Sequence, residues 1–169
     1  MRDHSPFVFD VRELLEAPGT RRTIKVDAPV LELQTGIVSV PGDVHSEVVL
    51  EALDGGLLAR GTMTGDYRSE CRRCLRELRS PFEIKGDEVY RPKNDVWEEG
   101  YEIKDSKVDL ELMVRDAVAL NLPANPLCKQ DCAGLCSRCG ADLNEGPCDC
   151  PEEVDERWSA LGDLRRLNG

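Results

Sequence analysis

Residues 46–74 read SEVVLEALDGGLLARGTMTGDYRSECRRC. Val48, Leu50 and Ala52 alternate with Glu47, Val49 and Glu51, the period-two pattern of a strand with one buried face. Asp54-Gly55-Gly56 supplies turn chemistry and the chain returns from Leu57 to Tyr67, so the stretch predicts an antiparallel hairpin. Gly61 and Gly65 on the return strand suggest a bulge or a close approach of neighbouring atoms. The hairpin leads into Cys71-Arg72-Arg73-Cys74, two thiols with metal-ligand spacing.

Working outward, residues 7–11 read as a short strand and RELLEAPG as a helical turn ending at Pro18-Gly19. Residues 23–26 and 30–33 are two short strands separated at Ala28-Pro29, and 82–90 is another strand. The acidic segment 91–107, with Pro92 and Gly100, reads as a loop, its part 94–105 as solvated or as a dock for a basic protein. From Asp109, read as an N-cap, Leu110, Met113, Val114, Ala117 and Val118 recur at helical spacing until Pro123 and Pro126. A second helix is expected from Pro151, with Val154, Trp158, Leu161, Leu164 and Leu167 on one stripe.

The predicted class is α+β: a mostly antiparallel β scaffold with two helices and a C-terminal zinc-ribbon-like cysteine segment. The expected organisation is a β-rich domain over 1–124 with one packing helix at about 109–121, then a cysteine-rich segment over 125–150. Residues 151–169 would add a C-terminal helix packing on the fold.

The chain has 169 residues, 22 Lys and Arg against 33 Asp and Glu, and a net charge of −11. That balance argues against coating nucleic acid or an anionic membrane by bulk charge. With 40% hydrophobic residues the chain can bury a modest core. The N-terminus lacks a secretory apolar region, and no run approaches the ~18 apolar residues of a membrane helix. A reducing cytoplasm is therefore the expected compartment, where paired thiols more often hold metal than form disulfides.

Eight cysteines are present and six fall between Cys128 and Cys150, in CKQDCAGLCSRCGADLNEGPCDC. Zinc takes four thiolates in a tetrahedron, so eight make two closed structural sites. Cys136-x-x-Cys139-Gly140 has knuckle spacing, with a glycine to free the backbone. The favoured grouping is Cys136, Cys139, Cys148 and Cys150 in a compact ribbon, and Cys71 and Cys74 with Cys128 and Cys132. The alternative lets Cys132 through Cys148 share one ion. A catalytic zinc is disfavoured, because His4 and His45, the only histidines, have no ligand spacing. Cys71-Cys74 follows a hairpin, unlike a thioredoxin-type dithiol, and no hydrolase, zincin or nucleotide-loop motif appears.

Between residues 60 and 80 six arginines face three acids, a local balance of +3. Arg68, Arg72, Arg73 and Arg76 are candidate contacts for RNA or another phosphate. Arginines beside a Zn(Cys)₄ centre of formal charge −2 also simply offset that charge, which is the simpler account.

CRRCL after a hairpin, then DLELMVRDAVALNLPANPLCKQDCAGLCSRCGADLNEGPCDC and PEEVDERWSALGDLRRL, resembles the YceD family, described as large ribosomal RNA subunit accumulation proteins. The resemblance spans about 7–167, is most specific over 109–167, and matches the actinobacterial and Gram-positive form. It implies a cytoplasmic, non-enzymatic factor supporting synthesis, processing or accumulation of large-subunit ribosomal RNA. The partner would be a ribosomal RNA precursor or a large-subunit assembly protein, with no membrane and no small-molecule substrate. The residues also permit another reading, a redox-responsive zinc-thiolate sensor or chaperone-like binder.

Overall fold

A computed structural model describes residues 5–31, 33–93 and 100–151. The elements are β1 (Val8–Asp10), α1 (Arg12–Leu15), β2 (Arg21–Pro29), β3 (Gln34–Thr35), β4 (Val38–Ser39) and β5 (Asp43–Leu53), followed by β6 (Gly56–Glu70), β7 (Glu77–Pro92), β8 (Tyr101–Ile103), β9 (Lys107–Asp109) and α2 (Glu111–Asn121). This is the α+β class, mostly antiparallel sheet. The second predicted helix lies outside the described residues.

The hairpin closes where the sequence places it. Leu53 pairs with Gly56 across a two-residue turn in which Gly55 takes φ 78°, a backbone that favours glycine. β6 pairs with β5 on one edge and with β7 on the other, β2 flanks β5, and β8 runs parallel to the end of β7. β4 touches β6 only at Ser39–Arg68, beyond the reach of β5, and β1 and β9 form a separate two-stranded ribbon.

Strand alternation divides the sheet into two faces. Ile24, Val26, Val44, Val48, Leu50, Leu57, Met63, Ile84 and Tyr90 point to one side and are buried. Leu110 at the N-cap of α2 and Met113, Val114 and Val118 within it cover them, with Phe7, Val11 and Leu14 completing the core. Each fully buried side chain of this size contributes about 1.5–3 kcal/mol. The opposite face carries cross-strand ion pairs such as Arg21–Glu51 and Lys25–Glu47.

Several expectations change. Residues 23–26 extend into one nine-residue strand ending at Pro29, while 30–33 forms no strand among its described residues. A proline at the end of a margin strand removes no ladder bond, so Ala28-Pro29 terminates the strand without dividing it. The supposed loop 91–107 contains the end of β7, all of β8 and the first residue of β9, with Asp105 and Ser106 at φ 51° and 57° between the last two. The N-cap of α2 is Leu110, and Asp109 instead accepts the Glu111 N–H at 3.0 Å through Oδ1. No bulge occurs at Gly61 or Gly65, since β6 keeps unbroken register with β7 through both and with β5 through Gly61. Both are close approaches: a Cβ on Gly61 would lie 2.8 Å from Val48 Cγ2, and one on Gly65 2.9 Å from Phe82 Cζ.

Candidate metal centres

β6 and β7 pair from Leu57–Tyr90 to Glu70–Glu77, and Cys71-Arg72-Arg73-Cys74 caps the far end. The Cys71 N–H donates to Arg76 O at 2.8 Å, and the Leu75 N–H to Cys71 O at 2.9 Å. Leu75 therefore adopts φ 58°. The other CxxC repeats this geometry: the Gly140 N–H donates to Cys136 O at 2.9 Å, with Gly140 at φ 72°. Leu75 is the counterpart of Gly140, a likeness the shared CxxC spacing carried, although leucine there is strained.

The segment after α2 folds back onto this tip. The Arg72 N–H donates to Pro126 O at 2.9 Å and the Leu135 N–H to Arg73 O at 3.1 Å. The Arg73 guanidinium donates to Cys132 O at 2.7 Å. The eight sulfurs fall into two groups, Cys71, Cys74, Cys128 and Cys132, and Cys136, Cys139, Cys148 and Cys150, each within 4.8 Å. In the first group Cys71 and Cys132 sulfurs lie 3.8 Å apart and those of Cys74 and Cys128 3.6 Å. A disulfide needs about 2.05 Å, whereas thiolates at about 2.3 Å from a tetrahedral ion stand about 3.8 Å apart. The donor set and spacing thus fit a four-coordinate thiophilic metal, and each group can hold one ion.

The two groups differ in exposure. Cys71, Cys74 and Cys132 are buried and form a small second core with Leu78, Cys128 and Leu135. In the other group Cys139 is exposed and the remaining three are half-buried.

Burial pulls Cys71 up, but N–H groups of the Cys74, Cys128 and Arg73 backbone outweigh it and hold the thiol down at about 6. Backbone N–H groups of Cys139 and Arg138 similarly hold Cys136 at about 6. Burial, then the neighbouring thiols, push Cys128 up to about 12. Cys150 is pushed up to about 12 by its bond with Cys139 and then by burial. Protons and thiolate charge compete within each group, and a divalent cation resolves that competition by accepting all four as thiolates.

Asn144, in the loop between Cys139 and Cys148, reaches the first group and carries no motif by which sequence alone would single it out. Its Nδ2 donates to Cys132 Sγ at 3.4 Å and to Asp142 Oδ1 at 2.6 Å, while its Oδ1 accepts the Ala133 N–H at 2.9 Å. Asp142 in turn meets Arg76 at 3.3 Å. Of the four candidate arginines, Arg73 and Arg76 are therefore engaged within the protein. Arg68 and Arg72 are exposed and have no side-chain partner among the described residues. His45 pairs with Asp27 at 2.6 Å on the exposed sheet face, and His4 lies outside the described residues.

The model of the family described as large ribosomal RNA subunit accumulation protein YceD matches residues 59–165. The chain belongs to the YceD family. The match contains β6 from Ala59 onward, β7, α2 and all eight cysteines. Uncharacterized proteins of Mycobacterium tuberculosis and Mycobacterium leprae are each 29% identical over 169 residues, covering 95% of this chain and 82% and 78% of theirs. An Arabidopsis thaliana protein, large ribosomal RNA subunit accumulation protein YCED homolog 1, chloroplastic, is 40% identical over 60 residues, 35% of this YceD chain and 19% of its own. No solved structure matches. The YceD name implies a role in large-subunit ribosomal RNA accumulation. No helix among the described residues is long and apolar enough to cross a membrane.

Proposed function

We propose that this YceD chain is a non-enzymatic, cytoplasmic ribosome-biogenesis factor whose two Cys₄ groups hold structural Zn²⁺. The carrying observation is the family match over the β6–β7 hairpin and both cysteine groups. Eight sulfurs grouped four and four, with no histidine or carboxylate among them in the described residues, favour closed structural sites over an open catalytic one. In this reading the cysteine segment 125–150 is part of the fold of 1–124, because it hydrogen-bonds the tip of the hairpin.

The partner is a ribosomal RNA precursor or a large-subunit assembly protein. A net charge of −11 confines any RNA contact to the tip, where Arg72 and Arg68 are available while Arg73 and Arg76 serve the fold. The test is depletion in cells: large-subunit RNA falls relative to small-subunit RNA, and is restored by the wild-type chain. An unchanged ratio overturns the reading. Affinity capture with Arg68→Ala and Arg72→Ala separates RNA from protein partners, since neither change removes a bond inside the protein.

A second reading, a redox-responsive zinc-thiolate protein, is favoured by the exposed Cys139. It requires that mild peroxide release metal from the second group before the first.

A further inference from the structure

β7 is paired with β6 along its whole length on one edge, but β8 covers its other edge only from Tyr90 to Pro92. From Glu77 to Val89 the second edge has no strand, and none of its backbone groups has another hydrogen-bond partner among the described residues. We propose that this edge takes up an extended, Lys/Arg-rich segment of a partner protein as an added strand. The proposal goes beyond the zinc-scaffold reading and stands whether or not the cysteine groups hold metal.

Register defines which groups are offered. The bond from the Cys71 N–H to Arg76 O makes that a hydrogen-bonded pair, and such pairs alternate along an antiparallel ladder. Leu78, Ser80, Phe82 and Ile84 therefore bond to β6, while Glu77, Arg79, Glu83, Lys85 and Asp87 direct their N–H and C=O outward. Pro81, which has no N–H, occupies an outward position, the place where a margin strand tolerates proline.

Charge identifies the occupant. Between residues 77 and 89 stand four acids and two bases, and one of those bases, Arg79, is already paired with Asp66 at 2.9 Å. The described residues of 83–116, which supply most of β7 together with β8, β9 and the first half of α2, carry eight acids to six bases. A second copy would set acid against acid along this margin, so the chemistry selects a basic strand. Side chains alternate across an added strand. Its basic residues would meet Glu83 and Asp87 on one face, and its apolar residues would cover half-buried Leu78 and Phe82 on the other.

The test uses the full chain and a short synthetic peptide of alternating Lys/Arg and Val, with a version N-methylated at alternate residues that keeps the charge and loses the edge bonds. In the free protein the amides of Arg79, Glu83, Lys85 and Asp87 exchange faster than those of Leu78 and Ile84. The peptide slows the former group, the methylated version binds about tenfold more weakly or worse, and Glu83→Lys with Asp87→Lys weakens the plain peptide similarly. Outward amides already protected in the free chain would show that the edge is covered by its own chain and overturn the proposal. Equal binding of the two peptides, protection elsewhere, or concentration-dependent self-association through this edge would also overturn it.

Discussion

Replacing one cysteine in each group separates the two by stability as well as by metal count. A bond through the first group joins Cys71 to Cys132, 61 positions apart, whereas the second closes only the interval from Cys136 to Cys150. Treated as cross-links, these loops restrict the unfolded chain by about 4 and about 3 kcal/mol. Cys71 is fully buried and Cys139 exposed, so serine at 71 also buries a hydroxyl, at about 1–3 kcal/mol. Cys71→Ser is therefore expected to lose about 2–4 kcal/mol more than Cys139→Ser in urea unfolding followed by circular dichroism of the β signal. Native mass spectrometry should find one zinc in each variant and two in the parent. Chelation should bring all three proteins to similar stability. Equal losses in the two variants, or a variant retaining no metal, would refute the division into an anchoring site and a local one.

Asn144→Ala removes donors to Cys132 Sγ and Asp142 and leaves the Ala133 N–H without its acceptor. A competition assay with a chromophoric chelator should show about 10–100-fold weaker binding at one site. Leu75→Gly relieves a left-handed leucine at φ 58° and should raise the melting temperature by about 2–4 °C, whereas Gly140→Ala, at φ 72° with open space around it, should lower it. Gly86→Ala would place a methyl 3.1 Å from Ala117 Cβ and 3.4 Å from Met63 Cε, costing about 1–3 kcal/mol by calorimetry with metal binding unchanged.

What could be read in advance follows from how far each signal reaches. The β5–β6 hairpin is visible because Val48, Leu50 and Ala52 hold one phase and Asp54-Gly55 suits a tight turn. The stripe of α2 is visible for the same reason at helical period, and Leu110, Met113, Val114 and Val118 are all buried. β8 and β9 escape because three residues cannot display a period, and their turn uses Asp105 and Ser106, not glycine. The grouping of sulfurs is legible to the extent that CxxC brings two thiols to one ion. Nothing in the residues alone says that Asn144 reaches Cys132, or that Arg73 is committed to the Cys132 carbonyl while the Arg72 side chain has no partner among the described residues.

The position of the buried group follows from where the main core ends. β5 leaves β6 at Thr64, so the six residues Gly65–Glu70 run on as a ribbon with β7, touched by β4 only at Arg68. At about 3.4 Å per residue this projection is about 20 Å long, and an isolated two-stranded ribbon is marginal in water. Its inward residues are Gly65, Tyr67, Ser69, Leu78, Ser80 and Phe82. Tyr67 and Phe82 pack against the edge of the main core and Leu78 against the sulfur cluster, which leaves Ser69 and Ser80 between the two. The buried Ser69 hydroxyl has no hydrogen-bond partner. The ribbon nonetheless ends in a second cluster of Cys71, Cys74, Cys132, Leu78, Cys128 and Leu135. The sulfur group thus stands where hydrophobic burial by the sheet fails, and a bound ion there would hold both the ribbon and the segment after α2. Chelation should therefore raise amide exchange first in Gly65–Glu70 and Glu77–Phe82, leaving β2, β5 and α2 protected. Loss of protection across the whole sheet at once would mean that the metal supports the main core directly, and would refute this division.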